Sequence, residues 1–224
     1  MLNQKEATNI DFCEPPYAVS HYIREMHNTI SSLVFVMLGL WGLLRDLADA
    51  PGDVTALSLG LVVVGVGSMA FHATGTFAGE FADEAAIVLL CLCMNYSILC
   101  RRCHPRRLFT RPFCCVTLMV IGLLVLYAWT RWVYIFLFLM VGLVGWVVGQ
   151  CRCLSKGRRQ KRPMVCMYVA YASWLTEQMI PRSLCKMYHG LHAVWHVWAA
   201  VGLYWFIREL RHYATERRKY KLAS

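Results

Sequence analysis

FCCVTLMVIGLLVLYAWTRWVYIFLFLMVGLVGWVVG, residues 113–149, is one apolar stretch broken by a single charge, Arg131. A helix rises about 1.5 Å per residue and the hydrocarbon core of a bilayer is about 30 Å thick. The stretch is therefore too long for one crossing. It predicts two membrane helices joined by a tight turn near 128–132.

Working outward, apolar runs predict helices at about 28–44, 54–73 and 84–100 before this pair, and at about 163–180 and 191–207 after it. The expected fold is all-α: a polytopic membrane protein with a bundle of seven transmembrane helices. The 224 residues are 58% hydrophobic and 16% charged, against about 25% charged in an average soluble domain. The charges must then be crowded into short connections. Residues 1–16 are polar and carry no cleavable signal peptide. No internal repeat divides the chain, so 1–224 is expected to be one membrane-embedded domain: an amino-terminal segment 1–27, the helices across 28–207 and a basic tail 208–224.

The basic residues set the orientation. Most of the 23 Lys and Arg fall after the third helix (Arg101, Arg102, Arg106, Arg107, Arg111), after the fifth (Arg152, Lys156, Arg158, Arg159, Lys161, Arg162) and in the tail. These segments alternate along the chain and lie on one side, which the positive-inside rule makes cytosolic. The amino terminus is then luminal or extracellular, together with the loop at 74–83, the turn at Arg131 and the loop at 181–190. The carboxyl terminus is cytosolic. A net charge of +10 distributed this way speaks for topology and anionic lipid headgroups, not nucleic acid. Of eleven cysteines, only Cys13 and Cys185 fall in segments placed outside the cytosol, and they are the expected disulfide pair.

Ionisable groups inside membrane spans are costly and point to function. Ser68 and His72 are four apart on one face of the second helix, and His192 and His196 share a face of the last one. Asp83 and Glu84 open the third helix. The topology brings all of these to the non-cytosolic end. Three histidines with one open position are the ligand set of a catalytic zinc, and a nearby carboxylate, Asp83, could move the protons. The competing reading is plainer: a lone helical histidine usually packs or hydrogen-bonds, and Ser68 alone is a small residue between membrane helices. Asp11, Glu14 and Glu25 offer hard oxygens suited to calcium, or else form a solvated acidic segment.

Four segments carry a resemblance: IDFCEPPY (10–17), EMHNTISSL (25–33), GVGSMAFHATGTFAGEFADE (65–84) and LHAVWHVWAAVGLY (191–204). In this order the chain resembles the alkaline ceramidases, within a hydrolase superfamily that also holds the adiponectin receptors. The resemblance implies zinc on His72, His192 and His196, with Ser68 and Asp83 as the catalytic serine and aspartate. It also implies calcium on Asp11, the carbonyl of Phe12, Glu14 and Glu25. A further family ligand, an asparagine, is Pro16 here, which has no side-chain oxygen. The acidic residue of the sixth helix falls on Glu177. The family disulfide would join Cys13 to Cys185.

The implied activity is hydrolysis of the N-acyl bond of ceramide to sphingosine and a fatty acid, in the ER or Golgi membrane. Zinc would polarise the amide and supply hydroxide, Asp83 would serve as base and then acid, and Ser68 would stabilise the oxyanion. The partners expected are the lipid substrate and the bilayer, with no obligate protein partner. The alternatives are a hydrolase of another lipid (phytoceramide, dihydroceramide or a remodelled lipid) and a non-catalytic, receptor-like seven-helix protein with structural zinc.

Overall fold

The computed structural model describes residues 7–46, 51–102, 111–154 and 161–223. Arg106, Arg107, Lys156, Arg158 and Arg159, on which part of the orientation argument stands, lie outside them, as does Cys103.

The chain is helical. In order come α1 (Met26–Asp46), α2 (Gly52–Thr74), α3 (Phe77–Arg102), α4 (Arg111–Thr130), α5 (Val133–Leu154) and α6 (Lys161–Met179). A 3-10 turn (Arg182–Leu184) and a short helix α7 (Cys185–Tyr188) lead into the long α8 (Leu191–Ala223). Among the described residues there is no strand, only one antiparallel bridge between Ala7 and Thr76.

Four helices are long and apolar enough to cross a membrane: Met26–Arg45 of α1, Gly52–Thr74, Phe113–Thr130 of α4 and Val133–Gln150 of α5. Arg182–Tyr188 with Leu191–Thr215, bent by 58°, makes a fifth if taken as one span. The protein is thus a multi-pass membrane protein. The third and sixth expected spans, in α3 and α6, are not among these. α3 carries Glu80, Asp83, Glu84, Asn95 and Ser97, and α6 carries Ser173 and Glu177, all of them buried in the bundle.

The expected turn at 128–132 is present. Arg131 takes a left-handed φ of 57° and its N–H bonds Tyr127 O at 2.7 Å, ending α4 as a glycine usually would. Two expectations shift. The third helix begins at Phe77, not near Glu84, because the α2–α3 link is only Gly75 and Thr76. Gly75, at φ 61°, caps α2 by bonding Phe71 O, and α3 starts at once. The last helix does not stop near Ile207 but runs on to Ala223.

α2 packs between α1 and α3, α8 between α1 and α6, and α5 against α3, with α4 outside on α5. One core joins α1, α2, α3, α6 and α8 through residues such as Phe35, Leu61, Leu90 and Phe206. A second joins α3, α4 and α5 around Tyr127, Leu124 and Leu139. Ile87 and Trp195 lie against both. Leu118, Val125, Phe138 and Val141 face outward, which suits lipid contact.

At one end of the bundle the segment before α1 forms a strap. Thr8 N bonds Gly75 O at 3.2 Å, Arg24 N bonds Ala73 O at 2.9 Å and Glu25 N bonds His72 O at 3.0 Å. Arg131 donates to Ala7 O and stacks on Phe77 at 4.0 Å. Arg182 donates to Asp11 O at 3.2 Å, and a disulfide joins Cys13 to Cys185. The amino-terminal segment, the α2–α3 link, the Arg131 turn and the 181–190 segment therefore meet at the same end.

Candidate metal centre and lipid cavity

His72 stands two residues before the end of α2, and His192 and His196 are on the first turns of α8. All three are buried, at 4% exposure or less. Their ligand nitrogens lie within 4.8 Å of one another. Among the described residues no other group of three His, Cys, Asp or Glu comes as close. Ring centroids are 4.9 Å apart for His72 to His192 and to His196, and 4.5 Å for His192 to His196.

Two of the rings are hydrogen-bonded at Nδ1, and the third, His192, has a carboxylate close to its Nδ1 without a hydrogen bond. Glu25 Oε2 sits 2.7 Å from His72 Nδ1, and Ser31 Oγ 2.8 Å from His196 Nδ1. Glu177 Oε2 lies 3.2 Å from His192 Nδ1. His72 Nε2 is buried with no hydrogen-bond partner. Unpartnered imidazole nitrogen in a dry interior is costly, and an ion bound there removes that cost. Outer groups that fix ring orientation and tautomer are the usual surroundings of metal-bound histidine. The three histidines could hold a metal ion.

The acid and the serine come next. Ser68, one turn before His72 on α2, lies 3.0 Å from Ser32 Oγ and 3.4 Å from His196 Nε2. Asp83 of α3 approaches Ser68. The approach is allowed by Gly67: a Cβ there would stand 3.0 Å from Asp83 Cα and 3.1 Å from Ala82 O. Asp83 is 8% exposed, and its Oδ1 has no hydrogen-bond partner.

These groups form one end of a cavity of about 330 Å³. Ser68, Asp83, Glu84, His192 and His196 line that end. The rest is mostly apolar, with Leu90, Met140, Met164, Tyr171, Trp195 and Phe206 among its walls. From His192 to Phe206 the cavity follows α8 for about 21 Å. A narrow apolar slot with reactive groups at one end matches a chain-bearing lipid better than a compact polar substrate.

The amino-terminal residues are placed differently from one another. The Phe12 ring covers the histidines, 3.8 Å from the His192 centroid and 5.2 Å from that of His72. Glu14 is buried and accepts from His27 N at 2.7 Å and Asn28 N at 2.9 Å. Glu25 is spent on His72. Asp11 is exposed and pairs with Arg24 at 2.6 Å. Asp11, Glu14 and Glu25 do not form a metal-sized group. His189 stays outside, exposed, with Nδ1 on Lys186 O at 3.0 Å.

Sequence reasoning missed Ser31 and Ser32, and it missed Glu25 as the partner of His72. The one available signal for Ser31 was the polar cluster His27, Asn28, Thr29, Ser31 and Ser32 at the start of an apolar helix.

The ceramidase family model matches residues 4–223 of this chain. "Putative alkaline ceramidase dcd3B" of Dictyostelium discoideum is 26% identical over 257 aligned positions, which cover 95% of this chain and 88% of that protein. Alkaline ceramidase 1 of Homo sapiens is 26% identical over 210 residues, 86% of this chain and 77% of its own. Alkaline ceramidase of Drosophila melanogaster is 24% identical over 208 residues, 87% and 73% of the two chains. A match that runs nearly end to end, with the buried histidines inside it, means that the chain belongs to the ceramidase family and is a hydrolase of that type.

Proposed function

We propose that this protein cleaves the amide bond of ceramide within the membrane, releasing sphingosine and a fatty acid, with zinc held by His72, His192 and His196. One observation carries the reading. Three buried imidazoles, each with Nδ1 against a protein group, converge at the polar end of an apolar cavity beside a buried carboxylate. Nitrogen ligands suit zinc, and three of them leave a place for substrate or solvent, whereas a structural site is closed by four. That count disfavours a purely structural ion.

Zinc, when bound, supplies Lewis acidity and brings the ionisation of water near neutral pH. Asp83 takes the proton from the attacking water and hands it to the leaving nitrogen. Ser68 donates a hydrogen bond to the carbonyl oxygen as its negative charge grows, and Ser32 holds the Ser68 hydroxyl in place. Glu25, Ser31 and Glu177 keep the three imidazoles turned inward. The apolar walls take the hydrocarbon chains and exclude bulk water.

The membrane arrangement follows the same reading. The seven long helices α1–α6 and α8 make seven spans. α3 and α6 cross despite their carboxylates because those side chains face the bundle interior. The basic connections and the carboxyl terminus are cytosolic, the strap and the site are luminal, and the ER or Golgi membrane is the expected location.

The test is metal analysis with a hydrolysis assay on the purified protein in detergent. About one zinc per chain is expected. His196→Ala should lose both metal and turnover. Asp83→Ala should keep the metal and lose turnover by about 10²–10⁴-fold, the usual share of a general acid–base. Undiminished hydrolysis in Asp83→Ala, or full zinc content in His196→Ala, would overturn the assignment. A panel of ceramide, dihydroceramide and phytoceramide settles the preferred base.

A further inference from the structure

The positions that the resemblance assigns to calcium are Asp11, the Phe12 carbonyl, Glu14 and Glu25, and a cation from the chain already stands among them. Arg24 is 16% exposed at its side chain. Its NH2 is 2.6 Å from Asp11 Oδ1, its NH1 3.3 Å from Gly75 O and its Nε 3.7 Å from Glu25 Oε1. We infer that the Arg24 guanidinium is a built-in replacement for calcium at this end of the molecule, joining the strap, the α2–α3 link and the Glu25–His72 pair.

The donor set does not fit calcium. Calcium takes six to eight oxygens. Pro16 removes the side-chain oxygen of the family asparagine. Both Glu14 oxygens already accept: Oε1 from His27 N at 2.7 Å and Oε2 from Asn28 N at 2.9 Å. Glu25 Oε2 faces His72 Nδ1 at 2.7 Å and Asn28 Nδ2 at 2.9 Å. A divalent ion between Asp11 and Glu25 would also meet the guanidinium at close range, a like-charge contact that costs energy even when partly screened.

A guanidinium suits the place. It is always charged and offers five donors in a planar fork, so one side chain can engage three segments at once. The backbone is shaped around it. A Cβ on Gly75 would stand 2.2 Å from Arg24 Cδ and 2.4 Å from Arg24 NH1. Glycine at 75 thus provides both the left-handed turn and the room for the arginine. Through Glu25 the same cation steadies the carboxylate that orients His72. Arg24 is a positioning residue, one step removed from the histidine cluster.

The experiment uses the full-length protein purified with its metal, titrated with calcium chloride by calorimetry and by thermal unfolding. No saturable heat and no rise in melting temperature are expected. Saturable calcium binding that Asp11→Asn removes would overturn the inference. That titration needs no variant of Arg24, and its outcome is independent of whether ceramide is the substrate. The positioning role has its own measurement, zinc affinity by chelator competition. Arg24→Ala should weaken zinc about tenfold, the scale of lost outer support, while Arg24→Lys keeps part of it. An Arg24→Ala protein with unchanged melting temperature and unchanged zinc affinity would equally overturn it.

Discussion

At the scale of single residues, the three histidines are similar in burial but differ in what holds them. His196 leans on Ser31, a group with no other task outside α1. His192 leans on Glu177, which also accepts from Cys13 N at 2.9 Å. The two supports therefore separate experimentally. Ser31→Ala should lower metal affinity about 10–100-fold and leave the melting temperature of the metal-free protein nearly unchanged. Glu177→Ala should lower affinity on the same scale. It also strands the buried Cys13 N–H, at a cost of about 1–3 kcal/mol in stability. Chelator competition and thermal unfolding of metal-free protein read the two effects. Equal destabilisation by both variants would contradict this division of labour. Glu177 was singled out only through the resemblance, and neither it nor Ser31 was read as a support for a histidine. HxxxH spacing places two imidazoles on one face, but what stands behind them comes from helices far away in the chain.

At the scale of elements, the contact between α2 and α3 decides whether the proposed catalytic groups, Ser68 and Asp83, meet. Gly67 lets the backbones close until Asp83 reaches Ser68. Gly67→Val should force the helices apart at about 1–3 kcal/mol, the usual cost of overpacking. A displacement of about 1 Å at Asp83 is enough for a loss on the order of 10²-fold in turnover. Gly122→Ala on α4, where an added Cβ meets nothing within 4 Å, is the control and should leave turnover unchanged. A Gly67→Val enzyme as active as the control would mean the helices need not be this close. The sequence placed the ends of α2, α4 and α5 within a few residues because apolar runs, Gly75 and Arg131 punctuate them. It misplaced the start of α3. The run Phe77–Asp83 contains Glu80 and Asp83, and charge near a turn suggests a loop. Those carboxylates are tolerated in the helix because they are used: Glu80 accepts from Thr8 Oγ1 at 3.0 Å and Asn9 N at 2.7 Å. The end of α8 was also missed, since after Ile207 the apolar face continues only through Leu210 amid a basic run.

At the scale of the whole molecule, the disulfide closes the strap over the histidines. It joins residues 172 positions apart, one in the segment that carries Phe12 and one in the segment that feeds α8. Cys13→Ser with Cys185→Ser should lower stability by about 2–5 kcal/mol and speed the loss of metal to a chelator. Thermal unfolding and chelator kinetics of the double variant check this. A variant that keeps both its melting temperature and its metal would show that the non-covalent contacts of the strap suffice. The bundle as a class was legible, because composition and the 113–149 stretch leave little else. Which side chains cover the three histidines was not, because a strap is positioned by contacts with several helices and has no periodicity of its own.

The slot along α8 has another consequence. Its histidines and carboxylates are confined to one end, so it sorts amphiphiles by direction before any specific recognition begins. A molecule lodged with its tail against the histidines leaves its head group among mostly apolar walls with few partners. One carrying hydroxyls midway along a chain strands them among Leu90, Met140 and Phe206 in the same way. Polarity alone thus admits lipids in a single alignment, with the head facing the histidines.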